Sequence, residues 1–424
     1  MARICLISPG HLTSNPRLVK EADALTEAGH QLTVISGWSF PPHQAEDRRF
    51  ENRPWAQHHR VAFGALAAPH RRLWQRLRQR LARGLFRLGA HGPAVAIRAW
   101  HPAGPDLIRA ARGVRADLYI AHYPAALPAA ALAARAHGGR YAFDAEDFHL
   151  GDFPEEPSYD FQRQLLRTIE GRYLPGCVFT TAASPGIADA YADAYGIPLP
   201  VVLLNVFPLS HAPEGPTPRG TAIPGPSLYW FSQTIGPDRG LESAVRAIAL
   251  AESKPHLYLR GFISDAYRQR LFSLARAEGV EDRLHLLPPA PPEQMERRAA
   301  AFDLGLVAET GGTPNRRIAL TNKLFTYALA GIPMLLSDIA AHCQILAEAG
   351  EAAQIFHSED PESLSEAIDH WLDAPPAVLA KARSTAFCLG QDRWNWEREQ
   401  MGLLENVNAA LQQGRAIATE PINS

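Results

Sequence analysis

The chain has 424 residues, 46 % of them apolar, which is enough for two domains with substantial cores. Lys and Arg number 42 against 44 Asp and Glu, so the formal charge of -2 excludes whole-molecule attraction to nucleic acid. With 20 % charged residues, wholesale disorder is excluded as well.

The four cysteines (Cys5, Cys177, Cys343, Cys388) are widely scattered and form no C-x-x-C pair. That spacing makes neither a disulfide framework nor a zinc site and fits a reducing compartment. The apolar run at Ile4–Ile7 is too short for a secretory core, and no stretch approaches the ~18 apolar residues of a membrane span. A cytoplasmic protein is therefore expected. Only Lys20, Lys254, Lys323 and Lys381 are lysines; the other basic residues are arginines.

In chain order, a short buried run at 4–7 reads as a strand and Ser8 to Asn15 as loop. Leu18, Ala22, Leu25 and Ala28 recur at helical spacing until Gly29, and Leu32 to Ile35 form the next strand. The pattern repeats with strands at 117–121, 140–144, 177–182 and 200–205, and helices at 127–136, 158–173 and 185–194. Residues 208–226 carry Pro208, Pro213, Pro216, Pro218, Pro224 and Pro226, which predicts a stiff linker. Alternation then resumes with strands at 228–232, 256–260, 283–287, 304–308, 333–337 and 353–356. The helices between them fall at 241–252, 265–278, 293–301, 322–330 and 340–348, and further helices run to about 413.

Strands alternating with helices imply parallel sheets covered on both faces. The expected fold class is therefore α/β with two Rossmann-like doubly wound domains facing across a cleft. The expected division is 1–207, a linker at 208–226, 227–392, a crossover helix at 393–414 and a polar tail at 415–424. Ligands of such sheets bind outside the carboxyl ends of the strands.

No G-x-G-x-x-G follows a predicted strand, and P-loop, zincin and serine-hydrolase signatures are absent. Three other segments carry chemistry. Thr321 is placed to cap a helix whose first turn holds Asn322 and Lys323, with Gly331 ending it. A helix N-terminus beside an ammonium suits a diphosphate, although on spacing alone a capped amphipathic helix with one solvated Lys is the favoured reading. The loop Gln233 to Glu242 follows the first strand of the second half. Gly236 and Gly240 permit close backbone approach there, and Arg239 can fork onto phosphate oxygens. An ordinary loop with an exposed Arg is the plain alternative. Finally, Asp144, Glu146, Asp147 and His149 cluster after the strand at 140–144, with His122 ending the strand before it. Here a polar loop that caps the next segment is the alternative.

In this order and spacing the segments resemble the retaining glycosyltransferases of the GT-B superfamily, family 4-like ("glycosyl transferases group 1"). Asn15 to Val34 looks like that family's opening strand-helix-strand, and this places Gly10 and Arg17 at the expected substrate rim. Phe143 to Asp147 sits where many members carry "yDaHE", Arg239 to Glu242 is similar to "RGLE", and Asn322 to Pro333 looks like "NKLFEYmaaGiP". Trp394 to Glu397 resembles the start of the terminal crossover helix.

Two departures stand out: Thr326 replaces the Glu expected to hold the donor ribose, and Glu146 replaces a His. A Thr makes one hydroxyl contact, not a bidentate charge-assisted pair.

The resemblance implies sugar transfer from a nucleotide-diphosphate donor to a glycan or lipid-linked acceptor, with retained configuration. It implies neither a required metal nor a cofactor; the donor is a co-substrate. Arg239 and Lys323 are expected to stabilise the leaving diphosphate, and Asp144 and Glu146 to orient sugar hydroxyls or the acceptor. Gly10, Arg17, His122, Asp147, Gly236, Gly240, Asn322 and Thr326 are the expected substrate-binding set. Truncating Lys323 or Arg239 is expected to lower turnover while leaving the fold intact.

Between Asn52 and Pro105 there is no Asp or Glu, while Arg71, Arg72, Arg76, Arg78, Arg80, Arg83 and Arg87 cluster there. Leu73, Leu77, Leu81, Leu85 and Leu88, with Trp74, form a stripe through residues 71–88. A basic amphipathic helix of this kind suggests an anionic membrane surface and a peripheral position at its inner face. The alternative is a helix that packs its Leu stripe on the first sheet and solvates its arginines. Two other functions compete with transfer: a degenerate nucleotide-sugar or partner binder of the same fold, and a sugar-nucleotide epimerase, whose motifs are missing.

Overall fold

A computed structural model describes residues 1–55, 57–216 and 223–417. The chain divides into two compact units, Met1–Leu203 with Gln400–Ser424, and Leu204–Glu399. Part of the expected linker, 217–222, and the expected tail from 418 onward lie outside the described residues.

The first unit is built on seven parallel strands: β1 Arg3–Ser8, β2 Gln31–Trp38, β3 Gln57–Ala62, β4 Leu118–His122, β5 Arg140–Ala145, β6 Thr180–Ala182 and β7 Val201–Val202. Their order is β3-β2-β1-β4-β5-β6-β7. The order reverses between β1 and β4, the point where doubly wound sheets open a crevice at their carboxyl ends. Ile4, Leu6, Ile7, Leu118, Ile120 and Phe143 are buried, as befits strands covered on both faces. Asn15 caps the helix Pro16–Glu27, its side chain accepting from the Leu18 N–H, and Pro16 occupies the first turn.

The second unit repeats the plan with β8 Ser227–Ile235, β9 His256–Ile263, β10 Leu284–Leu287, β11 Leu304–Val307, β12 Met334–Ser337 and β13 Ala353–Phe356. Its order, β10-β9-β8-β11-β12-β13, reverses between β8 and β11. One apolar core joins Leu228, Trp230, Leu257, Leu304 and Leu335 to Leu241, Val245 and Ile248 of the helix Leu241–Leu250 and to Leu364, Ile368 and Trp371 of the helix Pro361–Leu372.

Most expected elements fall within a few residues of those found. The exceptions are β6 and β7, shorter than the runs at 177–182 and 200–205, and β3, which no alternating pattern announces. The terminal helix is Trp396–Ile417, and from Gln400 its residues belong to the first unit.

Two contacts set the helix Asn322–Ala330 on its sheet. The Tyr327 hydroxyl donates to the Tyr229 carbonyl at 2.9 Å, and the Tyr327 ring lies over Gly305, where a Cβ would come within 2.4 Å of it. On the other side Gly390 of the helix Pro376–Asp392 touches backbone: an added Cβ would lie 2.6 Å from the Leu329 Cα. Backbone cannot yield as a side-chain tip can. Gly390→Ala is accordingly expected to destabilise the chain by about 1–3 kcal/mol, read as a lower urea midpoint. An unchanged midpoint would show that the two helices separate at no cost.

Candidate active site

In the first unit, a closed set of charges lies at the carboxyl ends of β4 and β5. Arg17, from the helix after β1, forks onto Asp144 with Nε to Oδ2 at 2.8 Å and Nη2 to Oδ1 at 2.7 Å. Its Nη1 donates to the Leu203 carbonyl at 2.7 Å. One helical turn on, Glu21 approaches Arg17 Nε at 3.5 Å. His122 bridges the two carboxylates, Nε2 to Glu21 at 3.2 Å and Nδ1 to Asp144 at 3.3 Å. The Thr181 hydroxyl donates to Asp144 as well.

All of these side chains are buried. Burial alone would lower the His122 pKa, but Glu21 and Asp144 together push it up to about 10. Burial works against the Asp144 carboxylate too, and Arg17 and His122 override it to hold the pKa well below the usual range. Two carboxylates face a guanidinium and an imidazolium, so the cluster is neutral without further ions. Glu21, His122 and Asp144 offer oxygen and nitrogen atoms within 4.8 Å of one another, a spacing that suits a metal ion. Arg17 and the protonated His122 already supply the cationic charge there.

Three expectations change on this geometry. Arg17, His122 and Asp144 were read as touching substrate, yet each is enclosed and bonded to protein groups. They brace the carboxyl ends of β4 and β5 instead. The loop above them is more open. Glu146 and Asp147 are partly exposed, and the Tyr123 hydroxyl donates to Glu146 at 3.2 Å. Burial, then the neighbouring Asp147, raises the Glu146 pKa. Tyr123 follows β4 with φ 67, a conformation costly for a bulky side chain and concentrated at functional sites. Gly10 lies on the same edge after β1, its N–H donating to Ser8 Oγ at 3.2 Å.

In the second unit, Glu309 follows β11 and Lys323 sits in the first turn of the helix Asn322–Ala330. The Lys323 ammonium donates to Glu309 Oε1 at 2.8 Å and lies 5.4 Å from the centre of the Trp230 ring. Burial would raise the Glu309 pKa, but Lys323 first, then Arg239 and His342, bring it down to about 2. Lys323 therefore pairs directly with Glu309, and Arg239 adds only its field to the same carboxylate.

The Glu309 backbone is fixed too, its carbonyl accepting from the Ser337 and Ser358 hydroxyls at 2.7 and 3.1 Å. His342 lies alongside. Burial, partly offset by its bond to Ser337, lowers its pKa to about 4, so the ring is neutral at pH 7. Its Nδ1 donates to the Ser337 carbonyl at 2.8 Å, which leaves Nε2 as a buried acceptor without a hydrogen bond.

Gly240 is required where it stands. Its φ is 66, and a Cβ would meet the Ala308 carbonyl oxygen at 2.8 Å. Gly236 has open space around its Cα, and Asn322 is partly exposed at the helix start. Thr321 occupies the cap position, but its hydroxyl makes no capping bond and is buried without a partner.

Thr326 departs most from expectation. It is 0 % exposed, and its hydroxyl donates to Glu296 at 3.1 Å. On helix Asn322–Ala330 it faces the interior and not solvent.

Sequence reasoning passed over Glu21, Tyr123, Thr181, Glu309 and His342. Glu309 follows a strand run, the one signal that could have marked it; His342 lies inside the helix Ala340–Ala349.

No protein-family model matches the sequence, and no curated protein matches it either. Solved structures do match its fold. HepE from Anabaena, crystallised with UDP, superposes with a TM-score of 0.69 at 14 % identity over 96 % of this chain and 100 % of that one. A glycosyltransferase from Rickettsia africae gives 0.69 at 11 % identity, covering 96 % and 98 %. Sucrose-phosphate synthase from Thermosynechococcus elongatus gives 0.69 at 15 %, covering 97 % and 100 %.

The chain has the GT-B fold. Both Rossmann-like domains of that fold are accounted for, and in each the charged cluster occupies the strand ends nearest the sheet's reversal.

The two clusters have opposite pH signatures. His122 has a raised folded pKa, so its contribution to stability is complete below about pH 6.5 and fades as pH rises towards 10. Glu309 has a depressed one, so its contribution is complete above about pH 4.5 and fades as pH falls towards 2. His122→Gln is expected to cost about 3–5 kcal/mol near pH 6, with the deficit shrinking by pH 10 in denaturant titrations. A deficit that does not change with pH would contradict the imidazolium assignment.

Proposed function

We propose that the chain is a retaining glycosyltransferase that moves a sugar from a nucleotide-diphosphate donor to a glycan or lipid-linked acceptor. Cell-surface polysaccharide or glycolipid synthesis is the setting that fits such an acceptor. The observation that carries this reading is the buried Lys323–Glu309 pair at the carboxyl edge of the second sheet, beside a helix N-terminus, with the Arg239 charge acting on the same carboxylate. Similar folds have been crystallised with UDP and with UDP-glucose, which supports the same class of donor here.

The chemistry asks for little else. As the bond between the anomeric carbon and the phosphate oxygen breaks, negative charge grows on the diphosphate, and fixed cations stabilise that state more than the ground state. An acceptor hydroxyl attacking from the same face bonds to the anomeric carbon and passes its proton to the departing phosphate oxygen. No protein nucleophile and no metal enter this scheme, because Arg239, Lys323 and the first-turn N–H groups meet the diphosphate charge. Glu309 holds the Lys323 ammonium in place, and its two serine partners hold Glu309. On the acceptor side, Glu146 and Asp147 are the groups open enough to orient hydroxyls.

A second reading has two observations in its favour. Lys323 is already ion-paired and Thr326 is enclosed, as suits a domain that binds a nucleotide sugar without turnover. Thermal stabilisation by a panel of nucleoside diphosphates, followed by a nucleotide-release assay, separates the two. Transfer releases nucleotide in step with acceptor; a binder is stabilised and releases none.

Arg239→Ala is expected to lower turnover by about 10²–10³-fold with an unchanged melting temperature. Lys323→Ala should also destabilise the protein, because it strands the buried Glu309 carboxylate. The double variant Glu309→Gln/Lys323→Met removes both charges and keeps the test clean. Near-normal turnover in Arg239→Ala and in the double variant would reject the assignment.

A further inference from the structure

The helix Pro69–Arg87 is held by one side only. Ala82 and Phe86 enter an apolar cluster with Ala96, Ile97, Ala99, Leu165 and Ile169. Gln75 and Arg78 reach Asp106 at 3.2 and 2.9 Å, and Gln79 and Arg83 donate to the Ala99 carbonyl at 3.3 and 3.0 Å. These contacts fix the helix's rotation. Its leucine stripe is therefore not the packed face. Leu73, Trp74, Leu77, Leu81, Leu85 and Leu88 are 46–86 % exposed.

At ~100° per residue, these side chains fill an arc roughly 120° wide on the side away from Ala82 and Phe86. Exposed Arg76 and Arg80 line one margin of the arc and exposed Arg71 lies beyond the other. From Asn52 to Pro105 no carboxylate offsets them.

We infer that this face docks on an anionic lipid surface. Leu73, Leu77, Leu81, Leu85 and Trp74 would sit at the boundary between headgroups and acyl chains, and the arginines would lie level with the phosphates. Charge selects this occupant. A second copy of the chain would bring arginine margins against arginine margins, and an uncharged apolar groove would leave them unanswered. Among the described residues no helix is long and apolar enough to cross a membrane, so the contact lies along the surface. The inference rests on this helix alone and goes beyond sugar transfer. It would stand if the chain moved no sugar at all.

The test is co-sedimentation of the full chain with vesicles of phosphatidylcholine containing about 30 % phosphatidylglycerol, against pure phosphatidylcholine, at about 0.05 M salt. Binding is expected to the anionic vesicles and to be far weaker to the neutral ones. Leu77→Asp/Leu81→Asp is expected to reduce it at least about tenfold, and Arg76→Gln/Arg80→Gln about 25-fold, at about fivefold per arginine. All four side chains are exposed, so circular dichroism and melting temperature should not change.

Failure of the wild type to sediment with anionic vesicles would overturn the proposal. So would undiminished binding by the Leu77→Asp/Leu81→Asp variant, or equal binding to neutral vesicles. A dimer in sedimentation velocity that the leucine substitutions dissolve, with no vesicle binding, would assign the face to a second copy instead. None of these readouts uses a nucleotide sugar, so their failure is distinguishable from failure of the proposed transfer.

Discussion

A charge taken out of water must meet an opposite charge in contact, and that constraint organises both units. Arg17 could not sit inside the first unit without the Asp144 fork, nor His122 without Glu21 and Asp144 on either side. Lys323 is bound by the same rule to Glu309. In each unit the paired groups come from a strand end and from the helix that begins beside it. A parallel sheet brings just these pieces of chain together, because every strand end and every following helix start lies along one edge.

The fold was legible because its signal is repeated. Runs such as Ile4 to Ile7 and Leu304 to Val307, each followed by a helical period and a glycine stop, recur along the chain, and an error in one leaves the others standing. Gly331 illustrates the stop signal: with φ 70 it ends the helix Asn322–Ala330 in the left-handed conformation a Cβ disfavours. β3 was not legible. Gln57-His-His-Arg-Val-Ala is an edge strand with mostly exposed side chains, and an edge strand lacks the apolar run that burial on two faces imposes.

The candidate side chains were legible in position along the chain but not in direction. Sequence marks a strand end; it does not say whether a side chain there turns inward or outward. His122, Asp144 and Thr326 were all found at the right edge and all face the interior. The same blindness affects the helix Pro69–Arg87, where the period of the leucines is plain and the choice of packed face is not. That choice was made by Ala82 and Phe86 against the helices Pro93–Trp100 and Asp160–Tyr173 and by Gln75 and Arg78 against Asp106, contacts distant in sequence. Glu309 was missed for a related reason: a single Glu after a strand has no periodicity, and only the approach of Lys323 gives it meaning.

The Thr326 departure connects to this. A carboxylate at that position would face Glu296, which is fully buried and already takes the Thr326 hydroxyl and lies 3.5 Å from His211. Two carboxylates sharing one dry pocket repel, so a Glu at 326 and Glu296 could not both ionise there without added positive charge. The small hydroxyl is what this packing accepts. Lys323 does not depend on that packing, because it is held by Glu309 and not by Thr326. The ion pair at the start of the helix can thus stay constant while the packing one turn on changes.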